Sequence, residues 1–289
     1  MENTDALIHD VSDTSLWVAH YRAKESKRPD ALFKDPFAEI LVGERGKKIA
    51  EDMNRISRFS EWTVIIRTVV IDAFIQKAIQ EYGVDMILNL GAGMDTRPYR
   101  MNLPSTLKWI EVDYPHILAH KEKLLKSETP ACELSRVAID LADDQKRKSF
   151  FKQTASRSSN ILVLTEGVVL YMSEDQVGAL ADDLNHFPSF NYWVVEYLHS
   201  KVYPHLKNSF RANKMRNAPF QFFPADWLGF FEQRGWTPKI LTYLGEVGSK
   251  LGRPMPLPFL ASLFKIFNPK AMHDNTVKMN GFILLEKKE

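Results

Sequence analysis

The segment most informative about the fold of this chain is Met86-Ile87-Leu88-Asn89-Leu90-Gly91-Ala92-Gly93-Met94-Asp95-Thr96-Arg97. Its apolar run is typical of a strand buried in a parallel sheet, and the run stops at a Gly-x-Gly turn. Because glycine has no side chain, a ligand can approach the backbone of such a turn closely. A second apolar run, residues 109–112, ends at Asp113, where a nucleotide-binding half-sheet places the carboxylate that binds a ribose.

Length and composition indicate one large domain. The chain has 289 residues, of which 45% are hydrophobic, enough for one Rossmann-like α/β domain with additional helices. The formal net charge is only +2, so we expect no nucleic-acid partner. The basic run Lys146-Arg147-Lys148 is interpreted as a solvated helix face. The single cysteine, Cys132, excludes a disulfide within the chain and a cysteine-based metal cage, and we expect no metal.

The N-terminal residues and the hydropathy pattern bear on location. Met1-Glu2-Asn3-Thr4-Asp5 is acidic and polar where a signal peptide is basic and then apolar. No uncharged run approaches the ~20 apolar residues that a membrane span needs. We therefore expect a cytoplasmic, soluble protein with no membrane partner.

Strand and helix patterns alternate along the chain, which predicts a parallel sheet covered on both faces. The predicted strands are Met86–Leu90, Trp109–Val112, Leu134–Ile139, Ile161–Leu164, Tyr192–Val195, Trp236–Tyr243 and Met279–Glu286. The predicted helices are Asp13–Lys24, Trp62–Glu81, Pro115–Leu125, Glu174–His186 and Pro224–Arg234, and Pro29–Pro36 is predicted to be a loop. Gly83 is expected to end the long helix, and Ser173 with Gln176 has the spacing of a capping box.

Four successive strands end in a group that can bind a ligand: Gly91–Gly93, Asp113, Asp140 and Glu166. In an open α/β sheet the ligand lies outside the carboxyl ends of the strands, so these groups should meet in one crevice. Any one of them alone could be a helix cap or a solvated turn. The coincidence of the four predicts a binding site.

The chemistry of these groups favours one cofactor over another. A nicotinamide cofactor usually requires a third glycine near its pyrophosphate, but Thr96 and Arg97 occupy that part of the turn. S-adenosylmethionine has no phosphate, and its amino group and ribose hydroxyls suit acid-rich strand ends. The residues alone leave both cofactors open.

The chain resembles the leucine carboxyl methyltransferase family, and within it the bacterial branch related to polyketide-biosynthesis O-methyltransferases. The motifs that carry the resemblance are Asn89-Leu90-Gly91-Ala92-Gly93-Met94-Asp95-Thr96-Arg97, Glu111-Val112-Asp113-Tyr114-Pro115, and Thr165-Glu166-Gly167 with Tyr171-Met172. The match covers residues 12–196 in order, and the C-terminal third matches only loosely. An Asp-Thr-Arg directly after Gly-Ala-Gly is far more specific than a glycine motif alone.

The resemblance implies an α/β class I methyltransferase sheet, mostly parallel with an antiparallel last strand, plus N-terminal helices and a cap. It implies a single S-adenosylmethionine-dependent domain over residues 1–289. Residues 1–83 would form the N-terminal helical segment and residues 84–197 the cofactor-binding core. Residues 198–275 would form a substrate cap with a late strand, and residues 276–289 the last strand.

The resemblance also implies the residues that bind S-adenosyl-L-methionine. They are Arg67, Gly91, Ala92, Gly93, Asp113, Asp140, Leu141 and Glu166. Gly91–Gly93 would line the methionine moiety, Asp113 would bind the ribose, and Asp140 with Leu141 the adenine. Glu166 would face the amino group, and Arg67 would pair with the carboxylate. Arg22 is a further candidate at that end.

The implied reaction is methylation of a carboxyl or hydroxyl group on a small-molecule, polyketide-like acceptor. A carboxylate is already ionised at neutral pH, whereas a phenol with a pKa of about 10 requires a base. His199, Glu196 and His20 are candidate bases, and no catalytic residue is assigned. Tyr21, Tyr171 and Tyr197 are predicted to border the acceptor.

Two other functions stay open. Tyr197 and Lys201 have the Tyr-x-x-x-Lys spacing of short-chain NAD(P)-dependent oxidoreductases, in which the pair lies on a helix. Alternatively, a methyltransferase fold can serve as a non-catalytic binding module. In that case the apolar stretch Leu257–Phe267 could dock a partner or a membrane surface, although a hydrophobic lid is the simpler interpretation.

Overall fold

A seven-stranded sheet organises the described part of the chain. The computed structural model describes residues 11–52, 57–207, 217–256 and 277–288. The strands are β1 (Met86–Leu90), β2 (Lys108–Asp113), β3 (Glu133–Ala138), β4 (Ile161–Leu164), β5 (Phe190–Leu198), β6 (Trp236–Tyr243) and β7 (Asn280–Lys287). Their order is β3-β2-β1-β4-β5-β7-β6. The first five strands are parallel, and β7 lies antiparallel between β5 and β6, as expected for a class I methyltransferase sheet.

Helices cover both faces of the sheet. They are α1 (Val11–Ser26), α2 (Ala38–Asp52), α3 (Ser57–Tyr82), α4 (Arg97–Arg100), α5 (Pro115–Leu124), α6 (Asp144–Ala155), α7 (Glu174–Asn185), α8 (Tyr203–Lys207), α9 (Trp227–Glu232) and α10 (Leu244–Lys250). Short 3₁₀ turns occupy Val169–Tyr171 and Ser200–Val202.

Alternation along the strands separates two apolar cores. In β1, Leu88 packs on the face covered by α6, α7 and α9, and Ile87 packs on the face covered by α3. All five residues of β1 are buried. This explains why the central strand is a continuous apolar run, since a parallel strand covered on both faces has no solvent side.

Local signals in the sequence set several boundaries correctly. Gly83 has φ +68° and ends α3, which is the left-handed position that glycine adopts without strain. Ser173 and Gln176 form the predicted capping box at the start of α7. The strands Ile161–Leu164 and Trp236–Tyr243 have the predicted bounds.

Other boundaries depend on tertiary contacts. β5 extends over Phe190–Leu198 rather than 192–195, because β7 pairs with it as far as Leu198. The predicted helix over 224–234 is limited to α9, since Asp226 caps it by accepting a hydrogen bond from Gly229 N. The helix α2 was not predicted; Gly43, with φ 55°, interrupts its helical backbone.

The interpretation of the basic run at 146–148 was wrong for its middle residue. Lys146 and Lys148 are exposed, but the Arg147 side chain is buried and donates to Asp183 Oδ2 at 2.7 Å. Arg147 therefore joins α6 to α7 instead of facing solvent. Leu257–Phe267 lies outside the described residues. None of the described helices combines the length and the apolar character needed to cross a membrane.

Candidate active site

A cavity of about 920 Å³ lies at the carboxyl ends of the parallel strands. All the residues predicted to bind cofactor or acceptor line it. They are Tyr21, Arg67, Gly91, Ala92, Gly93, Asp113, Asp140, Leu141, Glu166, Tyr171 and Tyr197. The four strand ends thus meet in one crevice; the binding role of each residue stays a prediction.

The turn after β1 requires its two glycines. Gly91 and Gly93 have φ +68° and +44°, in the left-handed region. A Cβ on Gly91 would lie 2.4 Å from Val168 Cγ2, and one on Gly93 would lie 2.9 Å from Ser15 Cβ. Gly91 N and Ala92 N donate to Val112 O, which holds the turn against β2. The turn therefore presents bare backbone to the cavity, as a closely bound cofactor requires.

The carboxylate at the end of β2 is held by backbone donors. Asp113 Oδ2 accepts from Gly93 N at 2.7 Å, and Oδ1 accepts from Tyr114 N at 2.7 Å. Burial nevertheless raises the pKa of Asp113 above its usual value. Each oxygen retains a lone pair, so the fixed carboxylate can accept hydrogen bonds from a diol.

The end of β3 contributes a more exposed acid. Asp140 Oδ1 accepts a hydrogen bond from Ala142 N at 3.0 Å, and Tyr114 Oη lies 3.5 Å from the same oxygen. Asp140 is exposed, whereas Ile139 beside it is buried. The rim of the cavity here combines a carboxylate with an apolar surface, an arrangement suited to an adenine.

Two arginines compensate the carboxylate at the end of β4. Arg67 Nε lies 2.8 Å from Glu166 Oε1, and Arg97 Nη1 lies 2.8 Å from Oε2. Burial alone would raise the pKa of Glu166, but the guanidinium groups of Arg97 and Arg67 hold it below its usual value. Arg97 also pairs with Asp95 at 2.8 Å and with Asp72 at 2.7 Å.

Several partners in this network were not predicted from the sequence. Asp72 on α3 binds both Arg97 and Arg100. An acid within the apolar pattern of a helix is the signal that could have identified it. Asp35 accepts from Arg22 Nε at 2.8 Å and from Thr96 Oγ1 at 2.7 Å.

Arg22 connects the N-terminal helix to the glycine turn. It lines the cavity, and its Nη2 donates to Met94 O. The side chain is buried, with its Nε paired to Asp35 as described above. Arg22 is therefore part of the scaffold of the turn, and its contact with the cofactor carboxylate stays a prediction.

Aromatic side chains line another part of the cavity. Tyr171 packs against Phe220 with ring centroids 5.1 Å apart, and Tyr21 packs against Trp17 at 5.6 Å. Tyr197 also lines the cavity, where it packs against Tyr243 with ring centroids 5.8 Å apart, and burial raises its pKa. The surface there favours a ligand with an apolar or aromatic body.

The three candidate bases differ in whether they line the cavity. Glu196 lines the cavity, whereas His20 and His199 are not among the described residues that line it. His199 Nδ1 accepts from Lys201 N at 3.2 Å, as the cap of the 3₁₀ turn that follows β5.

The pair Tyr197 and Lys201 does not have the geometry of an oxidoreductase. Tyr197 lies on β5 and Lys201 lies in the 3₁₀ turn Ser200–Val202, exposed to solvent. The two residues therefore do not share a helix face. The oxidoreductase hypothesis required both residues on one helix, so this geometry counts against it.

Solved structures show the same fold. A predicted methyltransferase of Thermobifida fusca superposes with a TM-score of 0.60 at 16% identity, covering 100% of this chain and 98% of that one. A DUF574 family protein of Streptomyces avermitilis gives a TM-score of 0.57 at 13% identity, covering 94% and 97%.

Sequence comparison identifies the family. A predicted S-adenosyl-L-methionine-dependent methyltransferase of Streptomyces coelicolor is 32% identical over 180 residues, which are 58% of this chain and 62% of that protein. A protein of Mycobacterium sp. strain KMS, named in the same way, is 28% identical over 273 residues, or 86% and 89% of the two chains. The leucine carboxyl methyltransferase profile matches residues 15–185, more than half of the chain. The chain therefore belongs to the leucine carboxyl methyltransferase family.

Proposed function

We propose that this protein methylates an oxygen atom, in a carboxyl or hydroxyl group, of a small polyketide-like acceptor. The coarser part of this function follows from the family and the named relatives: the protein is a methyltransferase, and S-adenosylmethionine is its cofactor. The observation that carries the finer part is that one cavity contains both the acid-rich strand ends and an aromatic surface.

The residues at the strand ends suit this cofactor chemically. Asp113 offers a fixed acceptor to the ribose hydroxyls, and Glu166 offers a carboxylate to the methionine amino group. Arg67 lies beside Glu166 and can pair with the methionine carboxylate. S-adenosylmethionine carries no phosphate, so its binding does not require the third glycine that this turn lacks.

The cofactor supplies an electrophilic methyl carbon bonded to a sulfonium. The protein has to align the acceptor oxygen with that carbon and exclude water, and such positioning can lower a barrier by about 7–11 kcal/mol. Buried side chains that line the cavity, among them Trp17 and Tyr21, can exclude water from it.

Size and surface favour a small molecule over a protein chain terminus. The cavity of about 920 Å³ is at the upper end of the range for small-ligand sites, roughly 300–1,000 Å³, which suits a cofactor and an acceptor together. Tyr171, Phe220 and Tyr197 line it and give it aromatic surface that a planar ring system could contact.

Calorimetric titration with S-adenosylhomocysteine, beside NADH, tests the cofactor. We expect micromolar binding of S-adenosylhomocysteine, no binding of NADH, and a loss of about 10- to 100-fold in affinity for Asp113→Ala. Asp175→Ala, at an exposed position on α7, is the matched control and should bind normally. A wild-type protein that binds NADH instead would contradict the assignment.

A screen of acceptors tests the oxygen specificity. The purified protein with S-adenosylmethionine is offered phenols, naphthols, carboxylic acids, thiols and amines, and the methylated products are identified by mass spectrometry. Methyl ethers or esters would support the proposal. Transfer only to sulfur or nitrogen would contradict it.

A further inference from the structure

Glu196 has an unusual environment for a carboxylate. It lies on β5 with 5% of its surface exposed, and it lines the cavity. Its Oε1 accepts a hydrogen bond from Gly167 N, but its buried Oε2 has no hydrogen-bond partner among the described residues. A buried acceptor without a donor is destabilising, so its presence at a cavity wall indicates a group that a bound ligand would pair.

A second unpaired acceptor lies on the neighbouring strand. Asn280 is buried and lines the same cavity, and its Oδ1 also has no hydrogen-bond partner in the described part of the chain. In the antiparallel pairing Glu196 is opposite Phe282, and Leu198 is opposite Asn280. Glu196 and Asn280 are therefore diagonal neighbours on one face of the sheet, within reach of one ligand group.

Few charges face Glu196. Arg67 on α3 favours its ionised form, and Glu166, which follows β4, opposes it. Burial is the largest influence and raises the pKa of Glu196 to about 7. Arg67 is already paired with Glu166 at 2.8 Å, so Glu196 has no ion-pair partner of its own among the described residues.

We propose that Glu196 and Asn280 bind the hydroxyl group of the methyl acceptor and that Glu196 Oε2 accepts its proton. This inference rests on the proposed function and narrows it to an aromatic or enolic hydroxyl acceptor. A neutral hydroxyl donates its one proton to Glu196 Oε2, and its oxygen can accept from the amide group of Asn280, whereas a carboxylate has no proton to donate and is repelled by an ionised Glu196.

The step balances without a further reactant. The acceptor oxygen gives its proton to Glu196 Oε2 and forms a bond to the methyl carbon. The carbon–sulfur bond breaks, and its electron pair stays on sulfur, which becomes a neutral thioether. Glu196 then releases the proton to solvent, and it is suited to this exchange because a base works best with a pKa near the working pH.

Binding of two matched probes tests the inference. The wild-type protein, saturated with S-adenosylhomocysteine at about pH 8.5, is titrated with 2-naphthol and with 2-naphthoate. We expect naphthol to bind at least about tenfold more tightly than naphthoate, because one charge-assisted hydrogen bond contributes about that factor to affinity. In Glu196→Gln, which keeps the acceptor for Gly167 N, that preference should be lost or reversed.

Kinetics provide a second readout. The rate of methyl transfer to 2-naphthol should rise with pH through about 7, because the base must be ionised, and Glu196→Gln should lower it by about 100-fold or more. Asn280→Leu should weaken naphthol binding by about fivefold without moving the pH profile. Glu232→Gln, the same change at an exposed position of α9, is the control.

The possible outcomes distinguish a failure of the role proposed for Glu196 from a failure of the proposed function. Wild-type protein that binds S-adenosylhomocysteine but binds naphthoate better than naphthol, or binds neither, would overturn the role of Glu196. The same holds if Glu196→Gln retains the wild-type preference and pH profile. A wild-type protein that fails to bind S-adenosylhomocysteine would instead overturn the proposed function.

Discussion

Two glutamates, one just after β4 and one on the adjacent strand β5, have opposite environments. Glu166, after β4, has one arginine within 2.8 Å of each oxygen, and its pKa is lowered despite burial. Glu196, on β5, receives one backbone hydrogen bond, and burial raises its pKa to about 7. The first carboxylate is stabilised by the protein itself. The second lacks a partner for Oε2 among the described residues, so a ligand or a proton has to supply one.

The difference distinguishes two kinds of functional group. A compensated carboxylate stays ionised and can bind a cation such as a cofactor amino group. An uncompensated one exchanges a proton near neutral pH, which suits acid–base work.

Arg97→Met should have the largest effect. It removes the buried cation that contacts Asp95, Asp72 and Glu166 and leaves these three partly buried carboxylates undercompensated. We expect a loss of about 5 kcal/mol or more in the free energy of unfolding, since breaking even one buried pair costs roughly 3–5 kcal/mol. Urea unfolding at neutral pH measures it. Arg157→Met, at an exposed position, should change little.

Gly91→Ala should come next. The φ of +68° costs an alanine about 1–2 kcal/mol, and the contact of its Cβ with Val168 adds about 1–3 kcal/mol. We expect weaker binding of S-adenosylhomocysteine as well. The double variant with Val168→Ala should recover only the part due to the contact. Full recovery would show that the left-handed backbone conformation is not needed.

Glu196→Gln should stabilise the protein, and only at higher pH. The folded-state pKa of about 7 exceeds the unfolded value near 4.5, so ionisation costs stability as the pH rises between them. The variant should gain nothing at low pH and on the order of 3 kcal/mol above about pH 7. Thermal unfolding across pH measures this. A destabilised variant at high pH would mean that Glu196 is compensated after all.

Arg67→Gln should have the smallest effect on stability. Arg97 still faces Glu166, so the free energy of unfolding should fall by only about 1 kcal/mol. Affinity for S-adenosylhomocysteine should fall by about tenfold, whereas adenosine, which has no carboxylate, should bind as before. Arg58→Gln, exposed on the same helix, is the control. Equal losses for both ligands would contradict a contact with the carboxylate.

Local sequence patterns are enough to predict the sheet core and the strand-end residues that line the cavity. Each strand end there carries its own signal: an apolar run followed by Gly91–Gly93, by Asp113 or by Glu166. Such signals are local, because the pattern of a few neighbouring residues specifies a buried strand and the turn after it. Parallel topology then brings the carboxyl ends together at one edge.

The environments of the two glutamates, in contrast, arise from contacts between elements that are distant in the chain. The sequence marks Glu166 and Glu196 alike, as acids near strand ends. Their difference arises because Arg67 and Arg97 reach Glu166 from elements distant in the chain, and because β7 pairs antiparallel with β5 and sets Asn280 beside Glu196. The pKa of a carboxylate depends on burial and on the charges around it in space, which a linear pattern does not specify.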